Sequence, residues 1–188
     1  MLRKILAISL MSVATLATAD TLDIGLGNHA AQFKYGVPST LAGKSEIYAD
    51  VLYNDVNSVM GGVGLLVAND EIKVPGLTIG VGAKAVAATV KETPTRQNTS
   101  SVALGVQVRY ELPAERRVAF AGEFYYGPDI TTFGDAKQFQ QYGARAEFSV
   151  SPQVQVYAGY RKTVFTMKTT NADAVLVSGP LIGVQLSF

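Results

Sequence analysis

From Thr21 to Phe188 the chain alternates apolar and polar residues with a period of two, and nowhere does it sustain the 3.6-residue period of a helix. A chain built this way folds into strands whose two faces meet different surroundings. Ten strands are expected, at 21–27, 30–37, 45–53, 59–69, 76–90, 100–112, 116–126, 138–150, 153–165 and 174–188. One phase is apolar and bulky, as in Phe33, Tyr35 and Val37, in Val102, Leu104, Val106 and Val108, and in Val118, Phe120 and Phe124. The other mixes charge with glycine, setting Asp23, Lys34, Glu46 and Asp50 beside Gly25, Gly36, Gly62 and Gly64.

Such alternation fits a barrel with apolar residues inside, like a lipocalin, or a membrane barrel with apolar residues facing lipid. The glycines favour the second. On a water-facing surface a strand glycine weakens the sheet without return, whereas inside a narrow barrel it makes room for long side chains from neighbouring strands. Connection lengths agree. Counting back from Phe188, the tight links Leu112 to Arg116 and Val150 to Gln153 fall on the side of the chain termini, and the longer polar links 91–99, 127–137 and 166–173 fall on the other. Transmembrane barrels place short turns and both termini in the periplasm. The expected fold class is therefore all-β, a transmembrane antiparallel up-and-down barrel of ten strands, with eight as the alternative if residues 20–44 do not form the first two.

The first nineteen residues carry Arg3 and Lys4, an apolar stretch from Ile5 to Leu16 and the small-residue step Ala17-Thr18-Ala19 before Asp20. This is the pattern of a secretory leader, so residues 1–19 are expected to be a signal peptide and 20–188 the barrel domain. Without Arg3 and Lys4, the 16 basic residues fall to 14 against 15 acidic ones, with no run of like charge. That balance argues against a nucleic-acid partner. There is no cysteine, which excludes disulfides, thiolate metal sites and a lipidated cysteine. After the leader, the longest uncharged run, Ala174 to Phe188, has 15 residues and is broken by Gly179-Pro180, too short for a spanning helix.

The closing strand sets Pro180, Ile182, Val184, Leu186 and Phe188 in one apolar row ending in an aromatic residue. For a barrel bound for the outer membrane of a Gram-negative cell, Ile182, Val184, Leu186 and Phe188 are the expected signal read by the barrel-assembly machinery. In a water-soluble protein the same row would be an exposed edge inviting aggregation. Tyr35, Tyr53, Tyr110, Tyr126, Tyr160 and Phe188 are expected as aromatic girdles at the lipid interfaces. Outer-membrane lipids are thus expected partners, and a monomer is the expected state.

Several segments resemble the YfaZ family of small outer-membrane proteins. They are Met60-Gly61-Gly62-Val63-Gly64-Leu65, Pro75-Gly76-Leu77-Thr78-Ile79-Gly80-Val81-Gly82-Ala83-Lys84, Gly122-Glu123-Phe124-Tyr125-Tyr126-Gly127-Pro128-Asp129, Val156-Tyr157-Ala158-Gly159-Tyr160-Arg161 and the closing Gly179 to Phe188. The resemblance implies an outer-membrane barrel. It brings no established reaction or ligand, and no site residues.

Little else carries chemistry. Gly25-Leu26-Gly27 and Gly80-Val81-Gly82 continue the strand alternation and open no helix, so they are not phosphate loops. Asn98-Thr99-Ser100, which matches a glycosylation sequon, reads more simply as polar outer loop. His29, the sole histidine, is the one candidate general base for a lipid-modifying enzyme, although no Ser or Asp adjoins it and a solvated turn residue beside Asn28 explains it better. Asp129 with Asp135 could touch a divalent cation, and Asp50, Glu111, Glu123 and Glu147 could form acid–base pairs. No catalytic residue, metal ligand or cofactor is assigned. Lys84, Arg109, Glu111, Glu123, Arg145, Glu147 and Arg161 instead form the expected charges of the barrel lumen, since charges removed from bulk water need partners. The functions expected are a closed structural or surface-interaction barrel, or a narrow porin-like solute pore. A lipid-modifying enzyme using His29 and a periplasmic ligand-binding barrel are the alternatives.

Overall fold

A computed structural model of the chain describes residues 20–69, 72–92, 95–169 and 171–188. The leader expected at residues 1–19 lies outside the described residues. The strands are β1 (Thr21–Gly27), β2 (Ala30–Ser39), β3 (Ser45–Asn54), β4 (Val59–Asn69), β5 (Leu77–Glu92), β6 (Thr95–Leu112), β7 (Glu115–Gly127), β8 (Thr132–Gly134), β9 (Ala136–Ser149), β10 (Val154–Met167) and β11 (Asp173–Ser187). All pair antiparallel with their neighbours, and β1 pairs with β11, so every strand except β8 takes part in a closed ring of ten. Residues 20–44 do form the first two strands, which removes the eight-strand alternative. Asp20 and Phe188 exchange both backbone hydrogen bonds, at 2.8 and 3.0 Å, so the two described ends of the chain meet at the seam. A closed ring leaves no strand edge unpaired.

Side chains alternate as the sequence pattern requires. The outward phase is apolar, with Leu104 70 % and Ile182 65 % exposed. In a barrel surrounded by water this wall would be a liability, and in lipid it is the solvated surface. Tyr53 and Tyr126 lie toward the loop end of the barrel, and Tyr35, Tyr110 and Phe188 toward the end holding the termini. Tyr160 falls near the middle of β10, where its hydroxyl lies 2.9 Å from Ser178 Oγ.

Three features depart from the sequence expectation. The link expected at 91–99 is largely strand, because β5 and β6 stay paired out to Glu92 and Thr95. Thr95, Arg96, Gln97, Asn98 and Thr99 are polar on both faces, so the alternation that marks a strand disappears there although the inward Thr99 is buried. Within the link expected at 127–137, a short 3₁₀ turn (Asp129–Thr131) leads into β8, which pairs with the upper end of β6. The third is a bulge in β11. Thr163 pairs with Val177 and Val164 with Val175, so Leu176 is left over, and the inward phase switches from Ala174 and Leu176 to Gly179, Leu181 and Gly183.

Candidate functional site

The lumen has two unlike halves. Toward the termini it is charged, and the ion pairs cross it between strands far apart in sequence. Glu147 of β9, its side chain wholly buried, is held between Arg109 Nε of β6 at 2.8 Å and Arg145 Nε of its own strand at 2.7 Å. Arg109 also pairs with Glu111. Arg145 reaches across the seam to Asp23 of β1 at 2.9 Å, with its guanidinium over the Tyr157 ring at 4.5 Å, and the Tyr157 hydroxyl donates to Asp23 at 2.5 Å. Lys34 and Glu46 pair at 2.8 Å. The charged groups line a cavity of about 480 Å³ that extends to Ser149, Ser151, Gln153 and Ser187 at the terminal end.

At the waist the charges are more enclosed, and almost completely so at Lys84 and Asp50. Arg161 pairs with Glu123 at 3.1 Å, and Glu123 accepts from Gln141 Nε2 at 2.9 Å. Gln141 Oε1 accepts from Lys84 Nζ at 3.1 Å, and Lys84 pairs with Asp50 at 3.0 Å, the two side chains only 2 % and 1 % exposed. Gln32 donates to Asp50 as well, at 3.1 Å. Gln141 thus relays between two ion pairs, one of each sign facing each of its amide atoms. Around this level Tyr48, Tyr125 and Tyr157 lie against glycines directly opposite them on adjacent strands, Gly64, Gly105 and Gly183. A Cβ on any of these glycines would run into the tyrosine ring. Tyr48 and Tyr125 hydroxyls meet at 3.2 Å, and Gln107 donates to the latter at 3.0 Å.

Beyond the waist, toward the loops, the lumen is apolar. Leu52, Met60, Val86, Ala103, Phe139, Phe165, Met167 and Leu176 form one buried cluster, in which Met60, Phe139 and Phe165 have no accessible surface. The Phe139 and Phe165 rings pack with centroids 4.9 Å apart. The rim above is polar, with Asn54 Nδ2 donating to the Leu176 carbonyl and Ser101 Oγ lying 2.9 Å from Thr132 Oγ1.

All seven charges expected in the lumen, Lys84, Arg109, Glu111, Glu123, Arg145, Glu147 and Arg161, point inward, and every one is in an ion pair. Sequence reasoning missed the uncharged members, above all Gln141, the three tyrosines and the phenylalanines of the apolar half. The only signal for them is position, since each stands two residues from a lumen charge or from another inward residue. Ile182 and Phe188 face outward and are well exposed. His29 stands at the loop end with Nδ1 2.6 Å from Asp55 Oδ2, both side chains more than half exposed. Asp55 was not visible as its partner, because 26 residues separate the two. Asp135 accepts from the Asn98 N–H at 2.8 Å. Among the described residues no group of three His, Cys, Asp or Glu side chains is placed to hold a metal ion.

A closed ten-strand barrel, apolar outside and charged within, defines an integral β-barrel protein of the bacterial outer membrane. A family model described as YfaZ precursor matches residues 2–188, and the chain belongs to the YfaZ family. It is 26 % identical over 186 residues, 97 % of its length, to outer membrane protein YfaZ of Escherichia coli K12, of which 91 % is covered. Among solved structures it is similar to a KdgM porin, with TM-score 0.45 and 10 % identity over 91 % of this chain and 99 % of that one. It is also similar to the outer membrane channel DcaP of Acinetobacter baumannii, with TM-score 0.43 and 11 % identity over 88 % of this chain and 54 % of that one. The terminal end of the barrel is the periplasmic end, and the loop end faces outward.

Proposed function

We propose that this protein is a non-catalytic barrel whose lumen is sealed toward the outside and open to the periplasm as a polar vestibule. The observation that carries the reading is the apolar cluster in the outer half, where Met60, Phe139 and Phe165 leave no surface for water to touch. Ion conduction needs a continuous wet path, and a dry apolar constriction is itself a gate. The refolded chain, its folding verified by a heat-dependent gel shift, should be silent in a planar bilayer. The double variant F139A/F165A should show discrete steps. Reproducible conductance of the unaltered protein would replace this reading with that of a narrow pore.

One observation favours a second reading. The His29–Asp55 pair at the outer rim has the geometry in which a carboxylate orients an imidazole as general base. A lipid-modifying enzyme built on it would lose activity in H29A, so an unchanged membrane lipid profile in cells carrying H29A would remove this alternative.

A further inference from the structure

Lys91 and Arg96 stand directly opposite each other on the β5–β6 hairpin, both exposed and both in the outward phase. Like charges opposed across two strands repel, and among the described residues neither side chain pairs with a carboxylate. Asp135 on the neighbouring loop is taken up by the Asn98 N–H. Below the two cations Thr89 and Asn98 are also paired, joined through their side chains at 3.0 Å. Lower still, Ala85 and Val102 face lipid, so the outward wall changes from apolar to neutral polar to cationic within a few residues of the same two strands. At that change Val59, Gly61, Ala87 and Ser100 line a recess of about 420 Å³. A Cβ at Gly61 would meet nothing within 4 Å.

We infer that this face binds the phosphorylated headgroup of a glycolipid of the outer leaflet. The phosphate sits between Lys91 and Arg96, the sugar lies along Thr89, Asn98 and Ser100, and the start of the acyl region reaches Gly61 and Ala87. Charge complementarity requires an anion to relieve the opposed cations, since each contributes favourable energy at an anionic lipid surface. The graded polarity beneath requires that anion to be the head of an amphiphile, because a free phosphate would leave the recess unused.

The test is binding of purified lipopolysaccharide to the folded full-length barrel in detergent, beside the same lipid with its phosphates removed enzymatically. The double variant K91Q/R96Q should bind the intact lipid about tenfold or more weakly than the unaltered protein. The unaltered protein should discriminate against the dephosphorylated lipid by a similar factor, while K91R/R96K should keep its affinity. Ala87→Leu should weaken both lipids by filling the recess. Equal affinity of K91Q/R96Q and the unaltered barrel for intact lipid would overturn the assignment, as would equal affinity for the two lipids. Binding of inorganic phosphate alone as tightly as the lipid would overturn the amphiphile in favour of a free anion.

Discussion

Replacing Lys84 by Met tests how dry the waist of the barrel is. Lys84 and Asp50 lie 3.0 Å apart and are almost completely enclosed. At an effective dielectric of about 20, charges at that distance attract by about 5 kcal/mol, an attraction largely offset by the cost of removing both from water. The single substitution K84M leaves Asp50 charged and enclosed with only the Gln32 amide as donor, and takes from Gln141 Oε1 the cation it accepts from. The expected loss is about 3–5 kcal/mol. The double variant K84M/D50N carries no charge at this position and should recover most of that loss, giving a coupling energy of at least about 2 kcal/mol in the double-mutant cycle. With no tryptophan in the chain, unfolding in urea is best followed by far-ultraviolet circular dichroism of the barrel in lipid vesicles, with the gel shift as a check. A loss below about 1 kcal/mol for K84M would mean that water solvates Asp50 in the folded barrel. That outcome would refute the enclosed ion pair at the waist.

Three further predictions use the same unfolding measurement. Gly105→Ala should destabilise by about 1–3 kcal/mol, because the added methyl meets the Tyr125 ring and the Phe124 carbonyl. Gly61→Ala, into open space on the outer wall, should be neutral or stabilising by about 0.5–1 kcal/mol. Tyr157→Phe should cost about 1.5–3 kcal/mol through the lost hydrogen bond to the Asp23 carboxylate.

The number of strands and their faces were legible in the sequence because lipid and lumen impose opposite demands on successive residues. Where both faces carry polar residues that signal fails, and residues 95–99 of β6 therefore read as loop. The seven lumen charges were expected from the sequence, but nothing local encodes their pairing. Arg145 and Asp23 are 122 residues apart and meet only because the ring closes β1 onto β11, with a stagger that no local pattern encodes. Phe139 and Phe165 were missed for a different reason. An apolar residue in the lumen phase breaks the alternation, and a single break reads as noise until the fold shows that the breaks gather at one level of the barrel.

The glycines decide between an open and a closed lumen, and the sequence alone leaves that choice balanced, since a missing side chain makes room equally for water or for a neighbour. At Gly64, Gly105 and Gly183 the room is taken by Tyr48, Tyr125 and Tyr157. Each ring covers glycine backbone on the adjacent strand, which restores packing that the glycine forfeits. The hydroxyls of Tyr48 and Tyr125, meeting near the Lys84 and Gln141 relay, then join the walls at the waist. Aromatic rings thus occupy the space that glycine opened, just below the dry apolar cluster. The groups left in contact with water lie on the periplasmic side, where Arg109 and Glu111 keep about a third or more of their side chains exposed. On the sealed reading, whatever the lumen meets must come from the periplasm. Any dealing with the outside falls to the rim and the β5–β6 hairpin, where Lys91 and Arg96 stand without a carboxylate partner among the described residues.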